Sequence, residues 1–491
     1  MTVAIEASRL SALAKRVNGR VVGGTDVCVT GVSHDSRRVR SGDLFAAITG
    51  FETDGHRFIH SAAEAGATAA LVEREGPWPV PAIVVDDVRR AIGPVAHAIT
   101  GDPTTRMRVI GITGTNGKTT TTFMTAAVLG GDEAATLGTL GVRRRDRVFK
   151  TGLTTPEAPE LARLFADLEQ EGVTSVVMEV SSHAIALGRI GGIHFAAGAF
   201  TNLSPDHLDF HPTMEEYGEA KLDFFRLLRE QHGFGAVNAD DPWGERFRVA
   251  GPAETWRFSA RDSAAEVYAE RVDVERDGTT MDVRTPRGRF TTRLPMAGRF
   301  NAANALAAAA LGVGLGTEPE AAGRALAAVD HVPGRYEVYR GADITVIVDY
   351  AHTPQAMERI LLAVRDTGAR RILCVFGCGG ERDRTKRPKM AGVAGTLADI
   401  AILTTDNPRR EPIDQIVADT VVGFDDTAAR WERIDDRAAA IEHAVGEAES
   451  GDVVCVLGKG DEEHILIGNQ QIPFSDRDVV QRALAARDES A

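Results

Sequence analysis

Cysteine is scarce: Cys28, Cys374, Cys378 and Cys455 are the four thiols of a 491-residue chain. None stands in a CxxC pair, so a disulfide scaffold is excluded. Three lie in apolar runs and read as small buried thiols. Positive charge is also short, with 56 Lys and Arg against 70 Asp and Glu and a net charge of −14. A nucleic-acid binder needs the opposite balance, because phosphates must be neutralised. Long apolar runs are missing too. The opening MTVAIEASRLSALAKR lacks the continuous apolar core of a signal peptide. The most apolar helical stretch, NAANALAAAALGVGLG, is mostly Ala and Gly and too short to cross a bilayer. These absences lead to the expectation of a cytoplasmic, reduced protein without membrane insertion.

What is present is ordinary globular composition, 43% hydrophobic and 26% charged. The length suggests three domains at roughly 150 residues each. VCVTGVSHDSR and GDLFAAI read as strands, and HRFIHSAAEAGATAALV as a helix feeding a strand. Gly101-Asp102-Pro103 marks a boundary. Beyond it RVIGIT, SVVMEV and AAGAF are apolar strands alternating with helices, residues 255–294 read as a small antiparallel insert, and an Ala-rich helix starts at Asn301. After Val332-Pro333-Gly334, the runs ITVIVDY, RILCVFG, IAILTTD and VVCVLG alternate with helical patterns, as in a doubly wound parallel sheet. The expectation is an α/β protein with domains at 1–106, 107–333 and 334–491.

The segment VIGITGTNGKTTTT has the strand, glycine loop and helix order of a phosphate cradle. Glycines let backbone N–H groups turn toward a polyphosphate, and the helix start adds a positive dipole end. Gly114, Thr115, Asn116 and Gly117 form the loop. Lys118 would reach the terminal phosphates, and Thr119 or Thr120 would meet a magnesium ion. One departure stands out: Ile112 occupies the place of the first glycine in the generic motif.

Glu179, at the end of VVMEV, lies where parallel sheets present residues to ligands and suits either magnesium or a surface ion pair. SPDHLDFH gathers Asp206, His207, Asp209 and His211, which fit a metal site or an Asp-rich turn equally well. Thr213 to Glu216 fits a capping box for the next helix. Lys221 on that helix reads, by position alone, as a solvated surface lysine.

GCGGERDRTKRP, DNPRREP and GKGDEEH each follow a strand of the third domain, at one carboxyl edge. Arg382 and Arg409 each have the planar fork that clasps a carboxylate, while Asp406 and Glu462 offer places for an ammonium group. Together they suit an amino-acid head group.

The segments TGTNGKT, TTP, EVSSHA, FTNLSPDHLDFHPTMEEYGEAK, GRFNAANALAA, PGRYEV, VDYAHTP, GCGGERDRTKRP, DNPRREP and GKG, in that order, resemble the Mur ligase family. The resemblance runs from about Ser33 to Arg477. It implies an N-terminal uridine-nucleotide domain, a central phosphate-loop ATPase domain with a parallel sheet and a C-terminal Rossmann-like domain. It also implies an ATP- and Mg2+-dependent amide ligase acting through an acyl phosphate, as a monomer. The implied acceptor is UDP-N-acetylmuramoyl-L-alanyl-D-glutamate and the implied amine meso-diaminopimelate; L-lysine, or recruitment to another peptide product, is the alternative.

By the same resemblance Lys118, Glu179, His207 and Lys221 are catalytic, with Thr119, Glu179 and His207 at the metal and Lys221 carbamylated. His34, Ser36 and the Gly50–Thr53 turn match uridine-nucleotide contacts. Thr154, Thr155, Ser181 and Arg189 match contacts to the muramoyl dipeptide, and Asn301, Asn304, Arg335 and His352 match nucleotide-handling positions. Arg382, Asp406, Asn407, Pro408, Arg409, Gly458 and Glu462 match the amino-acid pocket. Asp-Asn-Pro-Arg resembles the diaminopimelate-adding members, because that substrate has a far carboxylate for Arg409 and lysine does not. Three positions depart from the family pattern. Asp461 stands where a His is common beside the amino-acid site, Ile465-Leu466 replace a commoner polar or aromatic pair, and Leu153 stands where some members place Asn.

Overall fold

The computed structural model describes residues 7–50, 53–145, 147–275 and 277–490. Three sheets follow one another along the chain. A five-stranded sheet is built from Arg20–Val22, Gly31–Ser33, Asp43–Ala46, Ala69–Val72 and Ala82–Val84, parallel except for its first strand. Its helix Val88–Ile99 starts at Asp87, whose carboxylate accepts from the Arg90 N–H at 3.0 Å. That helix packs on helix Ala158–Gln170, which carries the first layer against the next one.

The second sheet has eleven strands. Its middle is parallel, from Ala134–Gly138 through Ser175–Glu179, Arg108–Thr113, Ala197–Phe200, Phe234–Asn238 and Thr255–Ser259 to Val267–Glu275. Covered on both faces, the strands from Ala134–Gly138 to Phe234–Asn238 are buried almost throughout, whereas Thr255–Ser259 and Val267–Glu275 are partly exposed. Antiparallel strands finish both edges: Gly141–Arg144 with Arg147–Phe149, and Gly278–Thr285 with Gly288–Leu294. The antiparallel insert expected over 255–294 is parallel in part: Thr255–Ser259 pairs parallel on both sides, and the antiparallel strands that follow extend the main sheet, with a bulge between Ala269 and Arg271. The central sheet is therefore mixed, not purely parallel. Helix Arg299–Gly314 is buried nearly all round and lies on helix Lys118–Leu129. Alanine makes that approach possible, since a helix apolar on every side must be enclosed.

The third sheet runs Glu337–Arg340, Thr345–Asp349, Val453–Leu457, Ile372–Cys378, Ile400–Thr405 and Arg430–Arg433, parallel after its antiparallel first strand. Four of these are the apolar runs read from sequence; the exposed edge strand Arg430–Arg433 and the mixed edge strand Glu337–Arg340 carry no such run. Among the described residues no helix is long and apolar enough to cross a membrane.

The last helix, Asp476–Ser490, is fastened to this sheet by a fully buried pair. Arg437 donates from Nε and Nη2 to the two oxygens of Asp476, each at 2.7 Å, and from Nη2 to the Leu457 carbonyl at 3.0 Å. Neither side chain of the pair is exposed. Breaking a buried pair from one side strands the other charge, at a cost of about 3–5 kcal/mol. Asp476→Ala is expected to lower stability by about that amount, read as an earlier urea transition.

Candidate active site

The strand Arg108–Thr113 delivers the chain to a glycine loop, and helix Lys118–Leu129 leaves it. Gly114 has φ +144, and a Cβ there would stand 1.9 Å from Thr201 Oγ1, so only glycine fits. The segment after strand Ala197–Phe200 holds the loop. Thr115 N–H donates to the Asn202 carbonyl at 2.8 Å, and Asn116 N–H to Asn202 Oδ1 at 3.1 Å. Thr201 Oγ1 and Asn202 Nδ2 donate to the Asn116 carbonyl at 2.7 and 2.9 Å. Lys118 folds back, its Nζ 3.0 Å from the Gly114 carbonyl and 2.9 Å from that of Thr115. Burial pulls its pKa down, while Glu179 and Asp206 oppose that pull.

Beside the loop, Thr119 Oγ1 donates to Glu179 Oε1 at 2.9 Å, and Thr139 N–H donates to the same oxygen at 2.9 Å. Glu179 is buried. A hydroxyl and a carboxylate in contact, next to a phosphate cradle, are the hard oxygen donors that magnesium takes. Thr120 lines the same cleft. His207 stands at φ +54 and is held by Asp206, which accepts from its N–H at 3.0 Å. Burial lowers its pKa to about 4, so its imidazole is neutral and free to ligate. Glu179 and His207 line one cleft from separate elements. A closed three-donor cluster among the described residues lies elsewhere, at Glu432, His443 and Glu447, where Arg430 already pairs with both carboxylates.

Lys221 corrects the positional reading. It is 1% exposed, not solvated, and its Nζ donates to the Gly114 carbonyl at 3.0 Å with the Tyr217 ring 4.5 Å away. Burial first, then the charge of Lys118, pull its pKa well below that of an ordinary lysine. The helix beneath it begins as read: Thr213 Oγ1 accepts from the Glu216 N–H at 3.1 Å.

The cleft measures about 650 Å³. Lys118, Thr119, Thr154, Glu179, Ser181 and His207 line it from the second sheet, with Asn301 and Asn304 from the Ala-rich helix. Arg335 and His352 reach it from the third sheet's side. Asn301 Nδ2 donates to the Ala297 carbonyl at 2.9 Å, and Asn304 Oδ1 accepts from Thr121 at 3.3 Å. His352 Nδ1 is 2.9 Å from the Tyr350 carbonyl, and burial lowers its pKa.

Thr154 Oγ1 touches Thr139 Oγ1 at 3.1 Å, and Thr155 Oγ1 donates to the Glu179 carbonyl at 2.8 Å. Ser181 caps the next helix by accepting from Ala184 N–H at 3.2 Å. Arg189 lies between Thr155 and Glu157, 2.8 Å from the latter. His34 and Ser36 follow strand Gly31–Ser33 of the first sheet and do not line the cleft. Gly50 N–H donates to the Thr53 carbonyl at 2.9 Å; Phe51 and Glu52 of that turn lie outside the described residues.

The third-domain loops meet at the ends of the neighbouring strands Val453–Leu457, Ile372–Cys378 and Ile400–Thr405, apart from the residues lining the cleft. Most of their charge is structural. Arg387 is fully buried between Glu411 and Asp419, each at 2.7 Å, and Arg384 also pairs with Asp419. Arg382 and Arg409 are different. Both approach Gly379, where a Cβ would stand 3.2 Å from Arg409 Nη1 and 3.7 Å from Arg382 Cγ. Arg409, at φ +53, donates to the Gly380 carbonyl at 2.8 Å. Its pKa is depressed by burial and by the charge of Arg382. Among the described residues neither forms a salt bridge.

Asp406 and Glu462, expected to await an ammonium group, already have one. Lys459 Nζ, wholly buried, lies 2.7 Å from Glu462 and 3.5 Å from Asp406, and donates to Asn407 Oδ1 at 3.2 Å. Asn407 Nδ2 donates to Glu462 at 2.8 Å. Pro408 and Gly458 are buried at the same edge. Sequence reasoning missed Lys459 and Thr139. The first stood unused in the GKG motif; the second has no local signal. Asp461 faces Arg335 at 2.8 Å, and Arg335 lines the cleft together with Lys118.

Comparison with known proteins decides the family. Residues 28–100 match the Mur ligase family catalytic domain, 112–312 the Mur ligase middle domain and 334–460 the Mur ligase glutamate ligase domain. The chain belongs to the Mur ligase family. It is an ATP-dependent amide ligase of peptidoglycan synthesis. The UDP-N-acetylmuramoyl-L-alanyl-D-glutamate--2,6-diaminopimelate ligase of Geobacillus kaustophilus is 42% identical over 94% of this chain and 95% of its own length. That of Synechocystis is 41% identical, over 94% and 93%. A solved structure of such a ligase aligns at TM-score 0.70 with 31% identity, covering 95% of this chain and 97% of that one. A MurF ligase from Thermotoga maritima in complex with ADP shares the fold at TM-score 0.63 and 19% identity, over 94% and 97%.

Lys118→Ala removes the cradle's cation and is expected to abolish ATP-dependent phosphate release while leaving the melting temperature near that of the unmodified enzyme. Phosphate release and a thermal melt check both halves.

Proposed function

We propose that this ligase adds meso-diaminopimelate to the side-chain carboxylate of the glutamate in UDP-N-acetylmuramoyl-L-alanyl-D-glutamate, with ATP and magnesium. The observation that carries the reading is the pair Arg382 and Arg409, two neighbouring guanidiniums that form no salt bridge among the described residues. Diaminopimelate brings two carboxylates, and lysine brings one. Arg382 is exposed, and Arg409 is half-buried with a bond to the Gly380 carbonyl, so each keeps N–H donors that a carboxylate can take up. A substrate with a single carboxylate forfeits one set of those charge-assisted bonds. The names borne by the 42% and 41% identical relatives support the same amine.

The chemistry follows from what each residue can do. A carboxylate is a poor electrophile until its oxygen becomes a leaving group. Transfer of the γ-phosphoryl group of ATP to a glutamate oxygen makes an acyl phosphate; the amine then attacks, and the tetrahedral intermediate expels phosphate. Lys118 and the N-terminus of its helix neutralise the polyphosphate. Thr119, Glu179 and His207 would hold magnesium, which when bound neutralises phosphate charge. Lys221, with its pKa held down by burial, gives up its proton more readily than an ordinary lysine, as uptake of carbon dioxide requires. The resulting carbamate would be an anion between the loop and His207. Asn301, Asn304, Arg335 and His352 would handle the nucleotide, His34 and Ser36 the uridine nucleotide, and Thr154, Thr155, Ser181 and Arg189 the dipeptide. Lys459 neutralises one of the two acids at the amino-acid edge, so the pocket keeps net positive charge for a dicarboxylate.

The test is phosphate release with the uridine-nucleotide dipeptide, comparing meso-diaminopimelate with L-lysine and identifying the tripeptide by mass. Release dependent on diaminopimelate is expected; preference for lysine would overturn the reading of Arg409. In Arg409→Ala the KM for diaminopimelate is expected to rise about tenfold or more, with the KM for ATP changed less than about twofold.

A further inference from the structure

The turn Gly458–Glu462 carries two acids in succession that face opposite ways. Glu462 is fastened to Lys459 and Asn407 at the amino-acid edge, at 2.7 and 2.8 Å. Asp461 points to Arg335, its Oδ1 2.8 Å from Nη1, with 13% of the arginine side chain and 19% of the aspartate side chain exposed. Arg335 has two further restraints. Its Nη1 donates to the Gly334 carbonyl at 2.9 Å, and its guanidinium lies 4.4 Å from the Tyr350 ring centre. The other acid near it, Asp349, is committed elsewhere, accepting from the N–H groups of Tyr336 and Ala351, each at 2.7 Å. Asp461 is therefore the carboxylate bonded to this guanidinium.

Arg335 and Lys118 line the same cleft from different sheets, so two cations face the space over the phosphate loop. The backbones behind Arg335 and Asp461 leave no slack. A Cβ on Gly334 would stand 2.1 Å from the Asp461 nitrogen, and one on Gly460 would stand 2.6 Å from the Gly334 carbonyl oxygen. The turn cannot shift without moving the segment that bears Arg335.

We propose that Asp461 is a positioning residue: its carboxylate aims the Arg335 guanidinium at the phosphates across the cleft, and ties that aim to the turn that carries Glu462 of the amino-acid pocket. This rests on the ligase reading above. The sign of the effect follows from charge. Asp461 is itself an anion near bound phosphate, so it does not strengthen ground-state nucleotide binding. It restricts where the guanidinium points while charge moves during phosphoryl transfer, and misplacement of such a group costs rate rather than affinity.

The experiment uses the full-length enzyme. Asp461→Asn keeps the shape and removes the charge. Its kcat is expected to fall by about 10- to 100-fold. The Kd for ADP and for a non-hydrolysable ATP analogue, read by calorimetry, should not rise, and the KM for the diamino acid should stay within about threefold. In an Arg335→Ala background the same change should cost nothing further, because the residue it aims is gone. A raised KM for the diamino acid with unchanged kcat would place Asp461 in the amino-acid pocket and overturn the proposal, as would additive losses in the double variant. Arg335→Lys keeps the charge without the planar fork. It is expected to show the same split, and unchanged kcat in it overturns the proposal even if Asp461→Asn folds poorly. Phosphate release by the unmodified enzyme tests the ligase reading by itself, and the calorimetric titration does not require ligation.

Discussion

Two lysine side chains converge on one carbonyl oxygen: Nζ of Lys118 and Nζ of Lys221 each lie 3.0 Å from the oxygen of Gly114. Like charges drawn together out of water are unfavourable unless one is neutral or an anion arrives between them. Burial lowers the pKa of both lysines, and the charge of Lys118 lowers that of Lys221 further, so the crowding carries a cost. It also fixes the geometry around it. Gly114 must be glycine because Thr201 presses on its backbone, Thr201 and Asn202 must follow a strand beside Arg108–Thr113, and the helix bearing Lys221 must lie over the loop. The parallel middle of the large sheet satisfies all three demands, because its strands end on one side and deliver their loops together.

The edge of the third sheet repeats the theme with a different balance. Arg387 is buried against Glu411 and Asp419, and Lys459 against Glu462 and Asp406, so these cations find their counter-charges within the protein. Arg382 and Arg409 are left over. Arg409 spends part of its fork on the Gly380 carbonyl, and Arg382 is exposed, so the remaining donors of both are open to a ligand. Arg409 also takes a left-handed backbone, at φ +53, and strain kept at such a position is characteristic of sites where a side chain must be aimed.

Much of this was legible in the sequence where physics is local. RVIGIT, SVVMEV, VVCVLG and their neighbours are strands because apolar β-rich runs bounded by glycine and polar turns have few other solutions. The phosphate loop and the Thr213 cap are equally local. Non-local choices were not legible. Alternation over 255–294 looks the same whether a hairpin stands apart or continues a sheet, because the pattern reports one covered face and not which neighbour covers it. Lys221 sits on a helix whose buried face includes a cation, and no helical periodicity distinguishes that lysine from a solvated one. Lys459 and Asp461 have partners 52 and 126 residues away, and only the folded turn shows that positions two residues apart serve different clusters.

Net charge adds a last constraint. The chain carries −14 overall, yet the walls of its cleft place Lys118 and Arg335 around the phosphate loop. A uniformly cationic protein would draw phosphates to its whole surface. The cleft is not cationic overall either, since six carboxylates, among them Glu179 and Asp206, line it beside five Lys and Arg side chains, so where each cation stands matters more than net charge. The same arrangement explains why an internal acid such as Asp461 is useful beside Arg335. In a cleft of mixed charge the scarce quantity is direction, and a fixed carboxylate 2.8 Å from the guanidinium supplies direction at the cost of some attraction.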